Sequence, residues 1–551
     1  MGTPSLSSAI HLALAILWGG VMLAFLVAVL AANRKRRHAS TRGFGDRTIQ
    51  WLSTMKLFLL AAVFVTGVTA AYPLIDQNYA AMFVTDSGWL LMAKLMSVCL
   101  ILGIELQIHF IALPAFARER DLAAVVTQTI QRWIVIEDAK RILRRGVVIE
   151  SLLALVLIWA GHVVANDHPP NHAVVYDWPY PFRFSIANTW GMGLPDVVLR
   201  IWIAIIILMV AGGIALLGQI KHWKPSRRLG LPIALASVSV GVGLQALTVE
   251  AYPETYRPTP IPFKAKSIDH GMTLFAENCV PCHGPQAKGD GVLAKTLAKQ
   301  PVDLLTEPHA SMHTPGDLFH WLTNGIPGTG MPAWGERFSV EERWDLVNLV
   351  HALSRGYQAR IISPRILPNQ PYLAPPGFAY TDHDRRLVRL KDFRGEKALL
   401  LVLFSWPESH ERLNQLRSAY PVLRDHKAEV LAIPLTALTP QESGLIKGLP
   451  FPLVGQDAVK IARTYSLFRR TISHPDLMGQ GIVPKHMEFL LDRFGYLRAR
   501  WIPETDGGDW TDIDFLTQQM DQLNQEPEIL PPPADYVQET TNDMKMDRMK
   551  M

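Results

Sequence analysis

Six apolar stretches, each long enough to cross a bilayer, fill the first 250 residues and constrain the fold more than any other feature. A lipid-solvated segment must satisfy its own backbone hydrogen bonds, so apolar runs of about 20 residues are expected to be helices. The stretches run from about 9 to 32, 51 to 72, 88 to 113, 147 to 165, 197 to 218 and 230 to 249. The first is too long for a signal-peptide core and ends on the basic run Arg34 to Arg37, so it is expected to remain as a span. Hydrophobic residues make up 49% of the chain and charged residues 19%, an apolar balance for a protein solvated only by water.

The basic residues orient these spans. Segment 33–50 carries six Lys/Arg, 114–146 seven and 219–229 four, whereas 73–87 carries none and 166–196 only Arg183. Positive loops stay inside, which puts both termini outside. The net charge of +5 is thus a topology signal; the expected partner is the lipid bilayer and no nucleic acid is expected. With 551 residues the chain should divide into several domains.

Cys99 lies inside an apolar run, and the other two cysteines are Cys279 and Cys282, so a disulfide framework is excluded. In Cys279-Val-Pro-Cys282-His283 two thiols are spaced to bond both vinyl groups of one haem, with the adjacent imidazole as axial ligand. Zinc would need further ligands, and the nearby His309, His313 and His320 come without a second cysteine pair. A second axial ligand is expected at Met331, in Gly328-Thr-Gly-Met331-Pro-Ala-Trp334. Thioether ligation raises the potential and suits electron transfer. A lone methionine more often packs in a core, but Gly and Pro on both sides of Met331 favour a ligand carried on a loop.

The stretch from about 265 to 355 resembles class I cytochrome c: a helix leading into Cys279, a proline at 301, and a last helix from Val340 to Leu353. That resemblance implies an all-α domain with one covalent haem c and a Pro301 carbonyl accepting the ring N–H of His283. Haem is attached to such motifs on the periplasmic side in bacteria, in agreement with the charge pattern. The expected location is the inner (cytoplasmic) membrane, with both termini and the soluble domains periplasmic.

Three further motifs lie in the apolar half: Ile10-His11 running to Trp18-Gly19-Gly20, Gly88-Trp89 running to Lys94, and Arg144-Arg145 running to Glu150. Residues 8 to 166 thereby resemble the copper-resistance protein D family, which implies copper handling. Intramembrane polar groups are costly and so are candidates for function. His11 and His162 approach the same outer face, with His168 and His172 in the loop that follows. They could ligate copper or a b-type haem, or they could form hydrogen bonds between helices. Lys56, Glu105, His109 and Glu150 read as a polar cluster nearer the inner face, structural in preference to a proton or ion path. The loop Asp177-Trp-Pro-Tyr-Pro-Phe-Arg183-Phe suits packing at the interface or under the cytochrome.

Beyond about Pro376 strands and helices alternate: strand Leu399 to Phe404, helix Glu408 to Ala419, strand Glu429 to Leu435, hairpin Glu488 to Trp501 and helix Ile513 to Leu523. With Leu390-Lys-Asp-Phe-Arg-Gly395, Ser405-Trp-Pro407 and Pro484-Lys-His486, residues 378 to 525 resemble the thioredoxin-like group, its Sco/SenC and redoxin branches above all. The family's cysteines are replaced by Ser405-Trp-Pro-Glu-Ser-His410, so thiol exchange is excluded. His486, near the family's copper-ligand position, is a poor Cu(I) site without thiolates. Met544, Met546, Met549 and Met551 in the tail could gather Cu(I), or the tail could be disordered.

The expected architecture is a multidomain chain: an α-helical membrane bundle of six spans, an all-α class I cytochrome c domain and an α/β thioredoxin-like domain. Its expected parts are 1–250 (8–166 CopD-like), a linker 251–264, the cytochrome 265–355, a proline-rich linker 356–377, 378–525, and a Met-rich tail 526–551. Three functions fit: an electron carrier acting with redox partner proteins or a respiratory complex, a copper-handling membrane protein, and a docking subunit of a respiratory assembly. An electron carrier is favoured over a stand-alone enzyme.

Overall fold

A computed structural model of the chain describes residues 6–34, 42–75, 78–109, 136–166, 170, 173–190, 194–221, 223, 225–306, 313–368, 372–381, 386–446, 448–470, 483–506 and 509–537. Two compact units result, Met1–Val175 and Tyr176–Met551.

The first unit holds α1 (Leu6–Arg34), α2 (Arg42–Ile75), α3 (Asp86–Gln107) and α4 (Ile136–Asn166). Their outer faces are apolar, with Leu12, Ile16, Phe58, Ile158 and Trp159 all exposed, the pattern of helices solvated by hydrocarbon. Inside, Phe25, Val29, Ile49, Leu52, Ile108 and Val147 form one apolar layer, and Trp18, Leu60, Val63, Ile101 and Ala154 form another. Between them in helix register lie Lys56, Glu105 and Glu150, all fully buried.

The second unit begins with α5 (Leu194–Ile220) and α6 (Pro225–Ala246), joined across their contact by Ser239 Oγ donating to the Ala204 carbonyl at 2.7 Å. Among the described residues, Ala9–Val29, Thr48–Tyr72, Asp86–Gln107 and Pro195–Gly218 are long and apolar enough to cross a membrane, and Gly230–Ala246 is a shorter apolar helix. The chain is therefore membrane-anchored. The helix expected to end at 249 stops at Ala246, because Thr248–Glu250 (β2) pairs antiparallel with Phe182–Phe184 (β1).

This two-stranded ribbon leads into the haem-motif domain. Arg183 of β1 is buried and reaches Asp317 at 3.6 Å, and Trp178 packs edge-on against Tyr180 and Tyr256. The aromatic loop thus packs under the cytochrome region. The proline-rich stretch after β2 also rests on it: Tyr252 stacks on His320 at 4.2 Å, and Asn348 donates to the Pro262 carbonyl.

Helices α7 (Ala265–Asn278), α8 (Pro315–Asn324) and α9 (Val340–Gln358) build the cytochrome region. Thr314 and Ser339 each close a capping box at the start of α8 and α9, which fixes where those helices begin. Where α7 crosses α9, a Cβ on Gly271 would lie 2.4 Å from the Asp345 carbonyl, so only glycine allows this approach.

A hairpin, β3 (Ala379–Thr381) with β4 (Leu387–Arg389), opens the last region. Its sheet has the order β6-β5-β7-β8, from β5 (Ala398–Phe404), β6 (Ala428–Pro434), β7 (His486–Leu491) and β8 (Leu497–Trp501). The β5–β6 pair is parallel and the other two pairs are antiparallel, a thioredoxin-like arrangement. Leu400, Val402 and Phe404 face α10 (His410–Asp425) and α12 (Ile513–Gln525), while Leu399, Leu401 and Leu403 face α11 (Ala458–Tyr465). Helix α10 runs six residues past the expected end at Ala419: Pro421 lies inside it, and the burial of Leu423 favours continuation.

The face carrying α11 merges with the core of the cytochrome region. Thr464 of α11 donates to the Ala265 carbonyl at 3.0 Å, and Arg463 pairs with Asp269 at 3.1 Å. From β8, the buried Arg500 guanidinium donates to the carbonyls of Ala359 and Ile362, just past α9, and to those of Phe468 and Arg470.

Replacing Gly271 by Ala should cost about 2 kcal/mol of unfolding free energy, because backbone must move to admit the methyl. Gly444→Ala, at a helical site with open space around it, should be neutral or slightly stabilising. Thermal unfolding of the two variants followed by circular dichroism checks the contrast.

Candidate functional site

Helix α7 ends with Cys279 as its C-cap, and a single turn, Val280–His283, follows at once. Both motif cysteines therefore sit on one compact helical corner, with the amides of Cys282 and His283 donating to the Cys279 carbonyl. The chain then reverses at Gly284, with φ +74, where a Cβ would collide with Asp290 Oδ1. Gly289 donates to the His283 carbonyl at 2.9 Å, Gly291 to Cys282 at 3.1 Å and Leu293 to Pro281 at 2.8 Å, so the following loop is laced to the motif.

Cys279 is buried and Cys282 half-buried, and both are free thiols. Burial, together with the charge of Cys282, pushes the Cys279 thiol up to about 12, so it has no thiolate character in this setting. His283 lies 6.2 Å from the Phe275 ring. Burial makes its imidazole less basic than usual, and the Val302 backbone acts in the opposite direction. Its Nδ1 is buried and meets no hydrogen-bond partner at ordinary geometry. Pro301 lies beside this turn, its carbonyl 2.1 Å from where a Cβ on Gly289 would be. The backbone group acting on the His283 ring is the next one along, at Val302.

Met331 is half-buried against the same core, on a loop folded back by Gly325 at φ +72. Ile326 donates to the Met331 carbonyl, and the Met331 amide donates to Thr329 Oγ1, both at 3.2 Å. A Cβ on the neighbouring Gly330 would meet Leu297 at 2.6 Å, so this loop packs against the one that follows the cysteine motif. Three residues on, Trp334 stacks on Phe338 at 5.0 Å, with a buried Nε1 that has no acceptor.

These features fit a haem. Two thiols and an imidazole share one corner, a thioether is held on a loop of the same core, and Trp334 Nε1 is buried without an acceptor. Trp334 escaped the sequence reading; its place three residues after Met331 was visible there, but its buried donor was not. Asp317, in the first turn of α8, ties that helix to Arg183 and Thr255. Burial raises its carboxyl above the ordinary range, against the pull of Thr255, which donates to Oδ1 at 2.5 Å, and of Arg183.

Comparison with known proteins follows this division. The family described as cytochrome C oxidase, cbb3-type, subunit III matches residues 266–350. Residues 266–350 form a cytochrome c domain. Copper resistance protein D matches residues 46–164. The chain is 29% identical over 143 residues to the cbb3-type cytochrome c oxidase subunit FixP of Bradyrhizobium sp. (strain ORS 278), covering 26% of this chain and 46% of that protein. It is 32% identical over 92 residues to subunit CcoP of Azospirillum brasilense, covering 17% and 30%. The chain spans less than half the length of the curated relatives it matches. A putative thiol:disulfide interchange protein DsbE from Chlorobium tepidum is 14% identical, with 28% of this chain and 98% of that one covered and a TM-score of 0.22. The thioredoxin-like assignment rests on the sheet order given above.

In that region His486 sits where β7 meets the end of β5. One ring nitrogen, Nδ1, lies 2.9 Å from Ser409 Oγ, and the other, Nε2, 2.9 Å from Glu488 Oε1, so neither is free for a metal. Burial would raise the Glu488 carboxyl, but Arg412, bonded to both its oxygens at 2.7 and 2.9 Å, and His486 bring it down to about 2.

In the membrane unit, His11 Nδ1 lies 3.1 Å from Thr66 Oγ1, and Lys94 is near enough to act on it electrostatically. His162 is on α4 with its side chain outside the described residues. His168, His172, Met544, Met546, Met549 and Met551 also lie outside them. Among the described residues no three His, Cys, Asp or Glu side chains are grouped to hold a metal ion. The polar cluster expected from sequence does assemble: Lys56 Nζ lies 2.6 Å from Glu105 and 2.7 Å from Glu150, and His109 Nδ1 lies 3.2 Å from Ser53 Oγ.

In chain from which haem has been withheld, maleimide should label the half-exposed Cys282 at least 100-fold faster than Cys279, since a thiol raised to about 12 has roughly a thousandth of the usual thiolate. Peptide mapping of the labelled protein measures the ratio.

Proposed function

We propose that this chain is a membrane-anchored, periplasm-facing carrier of single electrons, built around one covalent haem c. The observation that carries the reading is the corner at the end of α7, where Cys279, Cys282 and His283 are presented together, with the Met331 loop packed through Gly330 against Leu297 of the segment that follows them. Bound haem c supplies a one-electron Fe(II)/Fe(III) couple. Cys279 and Cys282 would hold it covalently, and His283 and Met331 would supply ligands to its iron. Pro301 and Val302 supply backbone beside the His283 ring, and Trp334 Nε1 offers a hydrogen bond within the site. The exposed apolar side chains Val292, Leu293 and Val302 lie near the motif and suit contact with a redox partner.

The finer reading has six spans in the bacterial inner membrane, both termini periplasmic, and the parts 1–250, 251–264, 265–355, 356–377, 378–525 and 526–551. The positive-inside charge pattern and periplasmic haem attachment support it. The relatives are named as subunits of cbb3-type oxidases, and we place this chain beside a respiratory complex of that class. The sheet region, without thiols, serves as scaffold and docking surface.

A second reading, copper handling, rests on the match of residues 46–164 to copper resistance protein D. His11 and His162 are the residues it needs, with His168, His172 and the tail methionines as helpers. Lys94 beside His11 opposes a cation there. Copper titration of the full chain against a His11→Ala, His162→Ala variant tests it.

For the leading reading, the reduced pyridine haemochrome spectrum with iron analysis should give one c-type haem per chain. Cys279→Ser with Cys282→Ser should abolish covalent attachment, and Met331→Ala should remove the sulfur-to-iron absorption band while the haem stays attached. No haem in the wild-type chain would overturn the proposal; additional b-type haem would assign His11 and His162 to it.

A further inference from the structure

The first unit carries a buried cluster of charge that the proposed electron transfer does not use. Lys56 on α2, Glu105 on α3 and Glu150 on α4 are each fully buried in a unit whose outer faces are apolar. A single ammonium contacts both carboxylates, at 2.6 and 2.7 Å. The Phe25 ring from α1 lies over that ammonium, 4.2 Å from its centre, closing the fourth side without a charge. The apolar layers around Phe25 and around Trp18 seal the triad above and below.

The charges do not balance. With all three groups ionised, the triad would carry one net negative charge, and an uncompensated charge surrounded by hydrocarbon is strongly disfavoured. Hydrogen bonding points the same way: Glu105 Oε2 and Glu150 Oε1 are buried without a donor, while both carboxyl groups converge on the one Lys56 ammonium. One proton supplies both the missing charge and a donor for one of those oxygens. A metal cation fits less well, because the Lys56 ammonium already occupies the position between the carboxylates.

We propose that Lys56, Glu105 and Glu150 form a proton-binding site that holds one exchangeable proton shared by the two carboxyl groups. A route to it is marked one turn away, where His109, four residues past Glu105 on α3, meets Ser53, three residues before Lys56 on α2. Among the described residues, His109 is a half-buried titratable group one turn from Glu105, and α1 places the Phe25 ring over the Lys56 ammonium. Loss of the proton leaves the net negative charge buried, so its exchange is coupled to any rearrangement that admits water or moves Lys56.

Infrared spectroscopy of the purified full chain in detergent, in H2O and in D2O at neutral pH, reads the proton directly. The wild type should show a protonated-carboxyl C=O band that shifts down in D2O. Glu105→Gln or Glu150→Gln should each remove one carboxyl's worth of that band, since the remaining carboxylate pairs with Lys56 and needs no proton. Lys56→Met should double the band, because two carboxyls without an ammonium need two protons. Band intensity unchanged in both Glu→Gln variants overturns the proposal, and so does a wild-type band that grows when sodium is removed, which would mark a cation site. Gel filtration confirms that each variant is monodisperse; if Lys56→Met is not, the two Glu→Gln variants decide the question alone.

Discussion

The position of the haem motif depends on α7 being held from two sides. On one side Gly271 brings the helix onto the Asp345 carbonyl of α9. On the other, Thr464 and Arg463 of α11 grip its first turns at Ala265 and Asp269. The motif cysteines are the next residues along the chain, so both contacts fix where the haem corner lies. A buried leucine or phenylalanine contributes roughly 1.5 to 3 kcal/mol, and the shared core lines many of them up between Ile268, Trp344 and Leu349 on one side and Ile461, Tyr465 and Phe489 on the other. The sheet region therefore has a structural task that requires no thiol.

The side chains at the junction of β5, β7 and α10 suit that task. A redox cysteine needs partial exposure and a stabilised thiolate, whereas the corresponding corner here is filled by Ser409, His486, Glu488 and Arg412, each buried. Every nitrogen and oxygen that meets there has a partner of complementary kind, and the Arg412–Glu488 pair is neutral as a whole. A satisfied ionic network of this sort holds one arrangement of β7 against α10.

Local pattern made some of this legible from the sequence. The cysteine motif, the strands now found as β5 to β8 and helices α10 and α12 are local patterns, and their boundaries fell close to those expected except at the end of α10, six residues beyond. Helix α11 was missed because its eight residues are too few to display a periodicity. The role of Gly271 was hidden because its partner lies 74 positions away in the chain, as the crossing at Asp345 shows. The union of the cytochrome and sheet regions was invisible for the same reason: the proline-rich stretches read as spacers, yet Phe263 and Leu373 within them are buried in the common core. In the membrane, Lys56, Glu105 and Glu150 were individually conspicuous, and the helical repeat brought them to one level.

The two buried ionic clusters differ in a way that bears on what each can do. Arg412 meets one carboxylate with two hydrogen bonds, so the cluster is complete without anything from solvent. Lys56 meets two carboxylates and leaves oxygens of both without donors, so the membrane cluster is complete only with a further proton. Completeness favours a fixed scaffold, and incompleteness favours exchange. The Arg412–Glu488 cluster is thus a fixed part of the sheet region, while a group of side chains surrounded by hydrocarbon, where unbalanced charge is least tolerated, retains the capacity to change its protonation.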